Sequence, residues 1–498
     1  MRFVYDGGKW RPQPLWRGGE SEAIPVSRVH ELPIYDQDPH FPFSAELLAF
    51  LDGKQLLLDE LPFPLEQIQA HYEHGYLSYQ KGIVQTDQGY RCMRCGNDKP
   101  HLFAAFFCAR CETVCTYCRK CITMGRVSEC TLLVVCTVPS ERSVYRQPLA
   151  WTGTLSPAQQ QASEAVVRAI EHSTELLVWA VCGAGKTELL FPGINRALEL
   201  GKRVCLATPR TDVVLELAPR LKRAFPSVPT IALYSGSEER NKQASLVIAT
   251  THQLLRFYRA FDVMIIDEVD AFPYSAEPML AYAAEKARTE TSTLLYLTAT
   301  PSENWQREIK QNKRAAVTIP ARYHGYPLPV PSFEWCGNWR KKVKRGTLPS
   351  NVLTWVERRL SEGKQAFLFV PHVELVERVA AMLQTLDGRI AGVHAEDKAR
   401  KEKVQSFREG NIPLLVTTTI LERGVTVPNI DVAVLGAEDD VFTEGALVQI
   451  AGRVGRSAQY PSGDVRFFHF GKTRAMVKAK RHIMRMNREA EERGLLRR

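Results

Sequence analysis

The stretch Ala180-Val181-Cys182-Gly183-Ala184-Gly185-Lys186-Thr187 decides the fold of this chain. The apolar residues 176–179 before it are typical of a buried strand, and a helix-compatible segment follows it. A strand, a glycine-rich loop and a helix in this order are the context of a phosphate-binding loop. Ala180 stands where the simple consensus has its first glycine, so a tight strand-to-helix turn without a ligand remains the alternative.

The residues of this loop suit a bound nucleotide such as ATP. Glycines at 183 and 185 let the backbone of Gly183, Ala184 and Gly185 turn its amides toward a polyphosphate. Lys186 can then reach the β- and γ-phosphates, and the Thr187 hydroxyl can hold Mg²⁺. We predict that these residues bind ATP together with its Mg²⁺.

The composition is that of a soluble globular protein with several domains. The chain has 498 residues, of which 45% are hydrophobic, and such a length suffices for about three domains. No stretch approaches the ~20 apolar residues that cross a bilayer. The N-terminus lacks an apolar targeting core, so we expect an intracellular, cytoplasmic protein.

The net charge suggests a polyanionic partner. The formal charge is +10 and the sequence pI is about 9.0. Basic residues concentrate at 340–345 and 472–498. Both segments suit nucleic-acid contact, and a solvated linker and a solvated terminal helix are the equal alternatives.

The spacing of the cysteines predicts a zinc module. Seven of the twelve cysteines lie between positions 92 and 121, and six of them form the pairs Cys92-x-x-Cys95, Cys108-x-x-Cys111 and Cys115-x-x-Cys118. Two residues between thiolates let one turn direct both sulfurs at a tetrahedral Zn²⁺. Clustered pairs in a reducing cytosol favour metal binding over disulfides. We predict these six cysteines as zinc ligands with a structural or docking role.

The sequence leaves the grouping of the thiolates open. The first pair could share a site with Cys115 and Cys118 or, in a tighter loop, with Cys108 and Cys111. Seven thiols permit one site with spare cysteines, or two sites if Cys130 or another ligand joins. A redox role for one pair is the remaining alternative.

Apolar runs that alternate with amphipathic stretches predict two parallel α/β sheets. The runs are 176–178, 204–207, 246–248, 263–266 and 294–297, then 366–370, 390–393, 414–416, 432–435 and 465–468. The proline-rich segment 326–331 is stiff and extended, which suits a connector between the two series. The predicted parts are an N-terminal region (1–88), a Cys-rich zinc-binding module (89–138), a nucleotide-binding domain (150–320), a second α/β domain (345–475) and a basic tail (476–498).

A pair of carboxylates ends the apolar run 263–266. Asp267 and Glu268 follow it directly, and ligands bind at this end of the strands in open α/β sheets. We predict that Asp267 holds Mg²⁺ and that Glu268 orients or deprotonates the attacking water. The segment Thr298-Ala299-Thr300 ends another run, and its hydroxyls could couple the nucleotide state to a domain interface.

Two arginines near the C-terminal end of the chain complete the predicted machinery. Gln449, Arg453 and Arg456 recur at spacings of four and three, which predicts one shared helix face. Arginines that belong to a second domain can neutralise transition-state charge only when the cleft between the two domains closes. Hydrolysis would therefore be coupled to domain movement. We therefore predict Arg453 and Arg456 as catalytic residues.

In this order, these segments resemble the superfamily 2 helicase-like ATPases. The matching segments are Gln159 for the adenine-reading glutamine, 180–187 for motif I, 208–211 and 249–253 for backbone-contact motifs, 267–270 for motif II, 298–300 for motif III, 369–371 and His394 for motif IV and its successor, 417–426 for motif V and 449–456 for motif VI. The resemblance implies two RecA-like parallel-sheet motor domains, ATP hydrolysis, and nucleic-acid backbone contacts that do not read bases.

The cysteine module narrows the resemblance. A zinc module before such a core, with the segments 115–126 and 324–331, resembles the ComFA family of competence ATPases over about 90–470. The resemblance implies an ATP-dependent translocase on single-stranded DNA that serves DNA uptake in transformation. Implied partners are single-stranded DNA, a ComFC-like phosphoribosyltransferase protein and DNA-uptake channel proteins. The resemblance is also compatible with a peripheral contact of the chain with the inner face of the cell membrane. It is likewise compatible with an oligomer of the chain.

Other functions remain open at this point. A replication-restart DNA helicase of the PriA type also joins cysteine pairs to such a motor, although there the cysteines interrupt the second motor half. An RNA helicase is a further variant. A non-enzymatic zinc-bearing DNA-binding scaffold would need a decayed motor. The complete set of predicted motor residues argues against decay: Lys186, Asp267, Glu268, Arg453 and Arg456.

Overall fold

The structure is a computed structural model that describes residues 2–6, 8–13, 23–87, 89–138, 141–422 and 427–497. The chain forms two compact units. Unit one comprises Met1–Thr152, Val167–Glu175 and Phe191–Tyr296. Unit two comprises Gly153–Val166, Leu176–Leu190 and Leu297–Arg498. Each unit therefore draws on separated parts of the sequence, and the predicted domain boundaries stay predictions.

The N-terminal part of unit one is built from small antiparallel sheets. Its strands are β1 (Arg2–Asp6), β2 (Lys9–Pro12), β3 (Ile24–Pro25), β4 (Gln55–Leu57), β5 (Leu77–Lys81), β6 (Ile83–Thr86), β7 (Gly89–Cys92), β8 (Phe103–Cys108), β9 (Thr113–Cys118) and β10 (Leu132–Cys136), and its helices are α1 (Ala45–Leu51) and α2 (Leu65–Glu73). The sheet orders are β2-β1-β3 and β4-β10-β5, and the pairs β6–β7 and β8–β9 form hairpins. Because β10 pairs between β4 and β5, the cysteine region and the residues before it share one sheet.

A single buried core supports this N-terminal part. It includes Phe3, Leu47, Tyr72 and Val134, and the rings of Tyr72 and Tyr79 stack with centroids 4.0 Å apart. Four cysteines of the zinc module belong to the same core: Cys108, Cys111, Cys115 and Cys130. Described residues between Phe3 and Tyr79, a region that carries no chemical motif, thus supply apolar surface on which the cysteine hairpin packs.

Between residues 157 and 319 the chain alternates strands and helices. The strands are β11 (Glu175–Ala180), β12 (Val204–Thr208), β13 (Thr230–Leu233), β14 (Leu246–Thr250), β15 (Phe261–Ile266), β16 (Arg288–Thr298) and β17 (Ala316–Ile319). The helices are α3 (Pro157–Glu171), α4 (Lys186–Glu199), α5 (Thr211–Ala224), α6 (Pro278–Ala287) and α7 (Glu303–Lys310). In unit one the strands lie parallel in the order β13-β14-β12-β15-β16. In unit two β11 and β17 pair in parallel.

The rest of unit two contains a second parallel sheet. Its strands are β18 (Ser332–Trp335), β19 (Gln365–Phe369), β20 (Ala391–Val393), β21 (Leu414–Thr417), β22 (Ile430–Leu435) and β23 (Val465–His469). They lie in the order β18-β23-β22-β19-β21-β20. Its helices are α8 (Trp339–Lys344), α9 (Ser350–Ser361), α10 (Val373–Leu383), α11 (Arg400–Arg408), α12 (Glu444–Ala451) and α13 (Arg474–Glu492). Short 3-10 helices occur along the chain at Val26–Arg28, Leu58–Glu60, Pro100–Leu102, Ile122–Met124, Glu238–Asn241, Thr251–Arg256 and Thr419–Leu421.

The predicted α/β class with two parallel sheets is confirmed. Every apolar run predicted as a strand overlaps a strand of these sheets, and the runs 366–370 and 390–393 each extend one residue beyond it, because strands covered on both faces consist of near-continuous apolar residues. The strands that the pattern did not predict are β13, β17 and β18, and each has only four residues. Within the described ranges, no helix is long and apolar enough to cross a bilayer.

The predicted basic tail is mostly a helix with one buried face. Helix α13 buries residues at helical spacing, among them Met476, Ile483 and Met486. The guanidinium of Arg485 lies over the ring of Trp179, 4.9 Å from its centroid, within unit two. Part of the charge of the tail therefore packs against the strand that precedes the predicted phosphate-binding loop.

Candidate nucleotide site and cysteine clusters

The stretch 180–187 forms a loop between β11 and α4. Strand β11 is buried over 176–180, and α4 begins at Lys186. Gly183 and Gly185 have φ angles of +81° and +72°, a left-handed backbone that side chains rarely adopt. A Cβ at residue 185 would also collide with Nε2 of Gln159. Both glycines are therefore required by the shape of the loop.

Gln159, which also lies in unit two, stabilises this loop by hydrogen bonds. Its Nε2 donates hydrogen bonds to the carbonyl oxygens of Ala184 at 2.9 Å and Gly185 at 3.2 Å. Its Oε1 accepts a hydrogen bond from the backbone N–H of Ser156 at 2.8 Å. The structure thus brings Gln159 to the predicted loop, while its contact with adenine stays a prediction.

The segment with the two predicted catalytic arginines lies in the same unit as the loop. Helix α12 ends at Ala451, so Gln449 is helical, but Arg453 and Arg456 lie in the turn after the helix. The prediction of one helix face for all three residues is wrong. The cause is local: Gly452 caps the helix and Gly455 has a φ of +71°.

Both arginines are held by backbone carbonyl oxygens of unit two. Arg453 is 1% exposed, and its Nε donates to the carbonyl oxygen of Glu422 at 2.8 Å. The Nε of Arg456 donates to the carbonyl oxygen of Gly452 at 3.1 Å. In these contacts backbone carbonyl oxygens orient both guanidiniums within unit two.

Arg322 was not predicted as a functional residue, and it links the loop to this segment. It is 2% exposed, and its guanidinium donates to the carbonyl oxygens of Gly455 and, at 3.4 Å, Gly452. A Cβ built at Gly183 would lie 3.6 Å from its side chain, and the next residue, Tyr323, donates its N–H to the Gly183 carbonyl at 3.1 Å. Burial lowers the pKa of Arg322 to about 10. A lone arginine after a short strand carries no sequence signal.

The predicted carboxylates lie in unit one at the carboxyl end of β15. The Asp267 N–H donates to the carbonyl oxygen of Ala207 on the neighbouring strand β12 at 2.8 Å. The Glu268 N–H donates to Oδ1 of Asp267 at 2.9 Å, and Glu268 has a φ of +55°. This strained turn sets the direction of both carboxylates at the sheet edge where ligands bind in α/β folds.

The segments predicted as motif III and motif V begin at the carboxyl ends of β16 and β21. In unit two the Thr300 N–H donates to Oγ1 of Thr298 at 2.9 Å, and the indole of Trp179 donates to the Ala299 carbonyl at 3.1 Å. Thr417 ends β21, and its hydroxyl donates to the Val393 carbonyl at 2.8 Å. The last four residues of predicted motif V, 423–426, lie outside the described residues.

Two segments predicted to contact a nucleic-acid backbone lie in unit one. Thr208 ends β12 and is buried, and so are Thr251 and Gln253. Arg210, the cationic side chain of the two segments, pairs with Asp212, with 2.8 Å between Nη2 and Oδ2. The contacts with nucleic acid themselves stay predictions.

The zinc-module cysteines form two groups of four among the described residues. The sulfur atoms of each group lie within 4.8 Å of one another, and all eight cysteines are buried. The first cluster is Cys92, Cys95, Cys118 and Cys121, and the second cluster is Cys108, Cys111, Cys115 and Cys130. All six predicted ligands belong to a cluster; Cys121 was not among the predicted ligands, and Cys130 was only the optional ligand of a second site.

The grouping differs from both pairings that the spacing suggested. Cys115 and Cys118 form one Cys-x-x-Cys pair, but both lie on strand β9. Side chains three residues apart on a strand point to opposite faces, so the two thiols cannot converge on one ion. Cys118 therefore joins the first cluster and Cys115 the second.

The first cluster has the dimensions of a tetrahedral thiolate site. Its sulfurs are 3.8 Å apart for Cys92 and Cys121 and 3.7 Å for Cys95 and Cys118. Four sulfurs at a Zn–S distance of about 2.3 Å are separated by about 3.8 Å. The donor set and its spacing therefore fit Zn²⁺. The guanidinium of Arg94 donates to the carbonyl oxygen of Cys121 at 2.7 Å and so holds the two halves of the cluster together.

A buried lysine connects the first cluster to the parallel sheet of unit one. Lys286 of α6 donates from Nζ to the carbonyl oxygens of Arg94 and Leu255, both at 3.0 Å. Burial lowers the pKa of Lys286 to about 7. A Cβ at Gly96 would lie 2.6 Å from the ring of Tyr282, so glycine lets α6 approach the cysteine turn.

Comparison with known proteins defines the class first. Residues 152–303 match the family model for the type III restriction enzyme, res subunit, and residues 348–458 match the helicase conserved C-terminal domain. A solved structure of the DEAD-box helicase Mss116, bound to ssRNA and UDP-BeF, shares the fold at a TM-score of 0.50 and 16% identity, over 64% of this chain and 70% of that one. The chain is a helicase-like protein of superfamily 2 with two RecA-like domains.

The family follows from the N-terminal region and the full-length relatives. Residues 37–135 match the model for the competence protein ComFA N-terminal domain. The competence protein ComFA of Bacillus subtilis is 52% identical over 445 residues, which is 89% of this chain and 96% of that protein. The ComFA of Streptococcus pneumoniae is 38% identical over 397 residues, 77% of this chain and 91% of that protein. The chain belongs to the ComFA family of competence proteins.

Proposed function

We propose that this chain is a DNA-dependent ATPase that moves along single-stranded DNA and drives DNA uptake in transformation. The observation that carries the proposal is the contact, within unit two, between the phosphate-binding loop and the segment with Arg453 and Arg456. A nucleotide held on that loop would bind next to two buried or half-buried arginines. Hydrolysis would remove the γ-phosphate, and with it negative charge, from the neighbourhood of the two arginines. This change supports coupling between ATP hydrolysis and the conformation of unit two.

Each predicted residue has a role in this proposal. The amides of Gly183, Ala184 and Gly185 and the ammonium of Lys186 hold the phosphates, a role that the left-handed φ angles of Gly183 and Gly185 support. Thr187 and Asp267 hold Mg²⁺, whose charge offsets that of the β- and γ-phosphates. Glu268 orients the attacking water, and Arg453 and Arg456 stabilise the transition state. Gln159 reads the adenine from its position beside the loop.

Single-stranded DNA is the nucleic acid along which we propose that the chain moves. The net charge of +10 supports binding to a polyanion, and membership of the ComFA family supports a role in competence. Backbone amides at the ends of β-strands can bind DNA phosphates without reading the bases. A protein that moves along a DNA strand of any sequence requires such contacts. A ComFC-like protein, uptake-channel proteins and a place of action in the cytoplasm at the inner membrane face are part of the same proposal, as is Zn²⁺ in the first cluster.

The test is steady-state ATP hydrolysis with no nucleic acid, single-stranded DNA, duplex DNA, forked duplex or single-stranded RNA. We expect selective stimulation by single-stranded DNA, and loss of hydrolysis in Lys186→Ala. Lys310→Ala, which changes an exposed lysine on α7, is the matched control and should behave as the unsubstituted chain.

Other outcomes would point to the other functions. Preference for forked duplex with strand separation would favour a PriA-like helicase, and preference for RNA would favour an RNA helicase. Absence of hydrolysis under every condition would favour the DNA-binding scaffold. Equal hydrolysis with and without nucleic acid would contradict the translocase.

A further inference from the structure

The second cluster places four buried thiols around one point in the N-terminal core. The sulfurs of Cys108 and Cys130 are 3.4 Å apart, well beyond the ~2.0 Å of a disulfide bond. All four sulfurs lie within 4.8 Å of one another, and sulfurs around a tetrahedral Zn²⁺ are about 3.8 Å apart. The group therefore has the spacing of a metal site and not that of a disulfide.

The turn after Cys108 repeats the backbone of the turn after Cys92. In the first cluster the Gly96 N–H donates to the Cys92 carbonyl at 2.8 Å, and the φ of Gly96 is +71°. In the second cluster the Glu112 N–H donates to the Cys108 carbonyl at 2.7 Å, and the φ of Glu112 is +54°. A left-handed backbone costs a non-glycine residue about 1–3 kcal/mol, so surrounding structure must impose it. Both turns have the shape that directs two thiolates at one ion.

The fourth thiol comes from outside the cysteine hairpin. Cys108 and Cys115 belong to β8 and β9, whereas Cys130 lies two residues before β10, the central strand of the sheet β4-β10-β5. The hydroxyl of Ser128 lies 3.2 Å from the Cys130 sulfur, within reach of a hydrogen bond to a thiolate. An ion on these four sulfurs would therefore join the hairpin to the N-terminal sheet.

We propose that Cys108, Cys111, Cys115 and Cys130 bind a second Zn²⁺, separate from the ion of the first cluster. Four thiolates close the coordination sphere and leave no position for water, so this ion is structural. It holds the β8–β9 hairpin on the core formed by residues 1–88. Through the alternation of β9 one strand serves both ions, with Cys115 on one face and Cys118 on the other. This inference does not depend on the proposed ATPase activity.

The test is the zinc content of the full chain, purified under reducing conditions, by elemental mass spectrometry. We expect two zinc ions per chain. Cys130→Ser should lower the content to one, and Cys121→Ser, in the first cluster, should also lower it to one. Cys136→Ser is the matched control, because Cys136 lies on β10 outside both clusters, and it should retain two.

A measurement without substitutions covers the case in which Cys130→Ser does not fold. Native mass spectrometry of the unsubstituted chain should give a mass that corresponds to two bound zinc ions and no disulfide. One zinc ion per chain, a disulfide between Cys108 and Cys130, or iron in place of the second zinc would each overturn the proposal.

Discussion

Cys182 of the phosphate-binding loop donates a hydrogen bond from its thiol to the side-chain oxygen of Gln449, across 2.9 Å. Both side chains are 5% exposed. The close approach needs glycine at residue 452, because a Cβ there would lie 2.5 Å from the Cβ of Cys182. The loop that we propose to bind ATP is thus in direct contact with the segment that carries Arg453 and Arg456.

This hydrogen bond should couple the two segments energetically. A net contribution of about 0.5–1.5 kcal/mol is typical of such a bond, and loss of the thiol leaves the buried amide oxygen of Gln449 without this donor. We expect Cys182→Ala and Gln449→Leu each to lower kcat for ATP several-fold. The double variant should lose less than the sum of the two effects, with a coupling free energy of about 1 kcal/mol in a double-mutant cycle.

Cys336→Ala is the control for that cycle. Cys336 is a buried cysteine of unit two that belongs to the core of the second sheet, so its substitution should leave kcat unchanged. Strict additivity of the Cys182 and Gln449 effects would show that the bond does not couple the segments.

Gly185→Ala should weaken ATP binding. The added Cβ would collide with Nε2 of Gln159, and the φ of +72° adds backbone strain. We expect the dissociation constant for a fluorescent ATP analogue to rise at least about tenfold, which corresponds to ~1.4 kcal/mol. Gly410→Ala, at a φ of +84° with open space around the Cβ, carries the strain without the collision and should bind as the unsubstituted chain does. Equal weakening in both variants would contradict the steric explanation.

Lys286→Met should weaken the response to DNA more than hydrolysis itself. Lys286 joins Arg94, beside the first cysteine cluster, to Leu255 in the segment Thr251–Arg256, which overlaps the predicted nucleic-acid contact at 249–253. Loss of about 1 kcal/mol from these hydrogen bonds should raise the DNA concentration for half-maximal stimulation about fivefold. Unstimulated hydrolysis and zinc content should not change, and Lys310→Met is the control. An equal fall in stimulated and unstimulated rates would refute this role.

Lys54→Met should stabilise the protein in a pH-dependent way. Nζ of Lys54 has no hydrogen-bond partner among the residues that the structure describes. Burial, with the positive charges of Arg203 and Arg256, lowers the pKa of Lys54 from 10.5 to about 8. Between these two values the unfolded chain binds more protons than the native chain, so the free energy of unfolding rises with pH across this window. Below about pH 8 the native state carries the full penalty of the buried charge.

Urea unfolding at pH 7 and pH 10 measures this effect. We expect Lys54→Met to raise the free energy of unfolding by about 2 kcal/mol at pH 7 and by much less at pH 10. Lys242→Met removes an exposed lysine and should change neither value. Destabilisation at pH 7, or the same gain at both pH values, would show that the buried charge carries no such cost.

Ten strands of the two parallel sheets, the glycine-rich loop and the carboxylate pair at a strand end could be predicted from the sequence. Each depends on residues adjacent in the chain: β11, Gly183, Gly185 and the start of α4 form one continuous segment. The end of α12 at Ala451 also had a local signal, since Gly452 and Gly455 interrupt the helix pattern. Family membership followed from the same ordered motifs together with the cysteine module.

The grouping of the cysteines and the place of Arg322 could not be predicted in this way. Thiol spacing alone does not reveal that Cys115 and Cys118 lie on a strand and face opposite ways. Cys130 reaches its cluster only through the pairing of β10 with β4 and β5.

The sequence by itself determined the fold class, the family and the position of the predicted nucleotide loop, because hydrophobic periodicity and short motifs act over a few neighbouring residues. Tertiary structure alone decided which four thiols converge in each cluster and which buried arginine joins the loop to the segment around Gly452. These arrangements depend on contacts between residues more than a hundred positions apart, as for Arg322 and Gly455, or on the facing of strands. Only the packed core specifies such contacts.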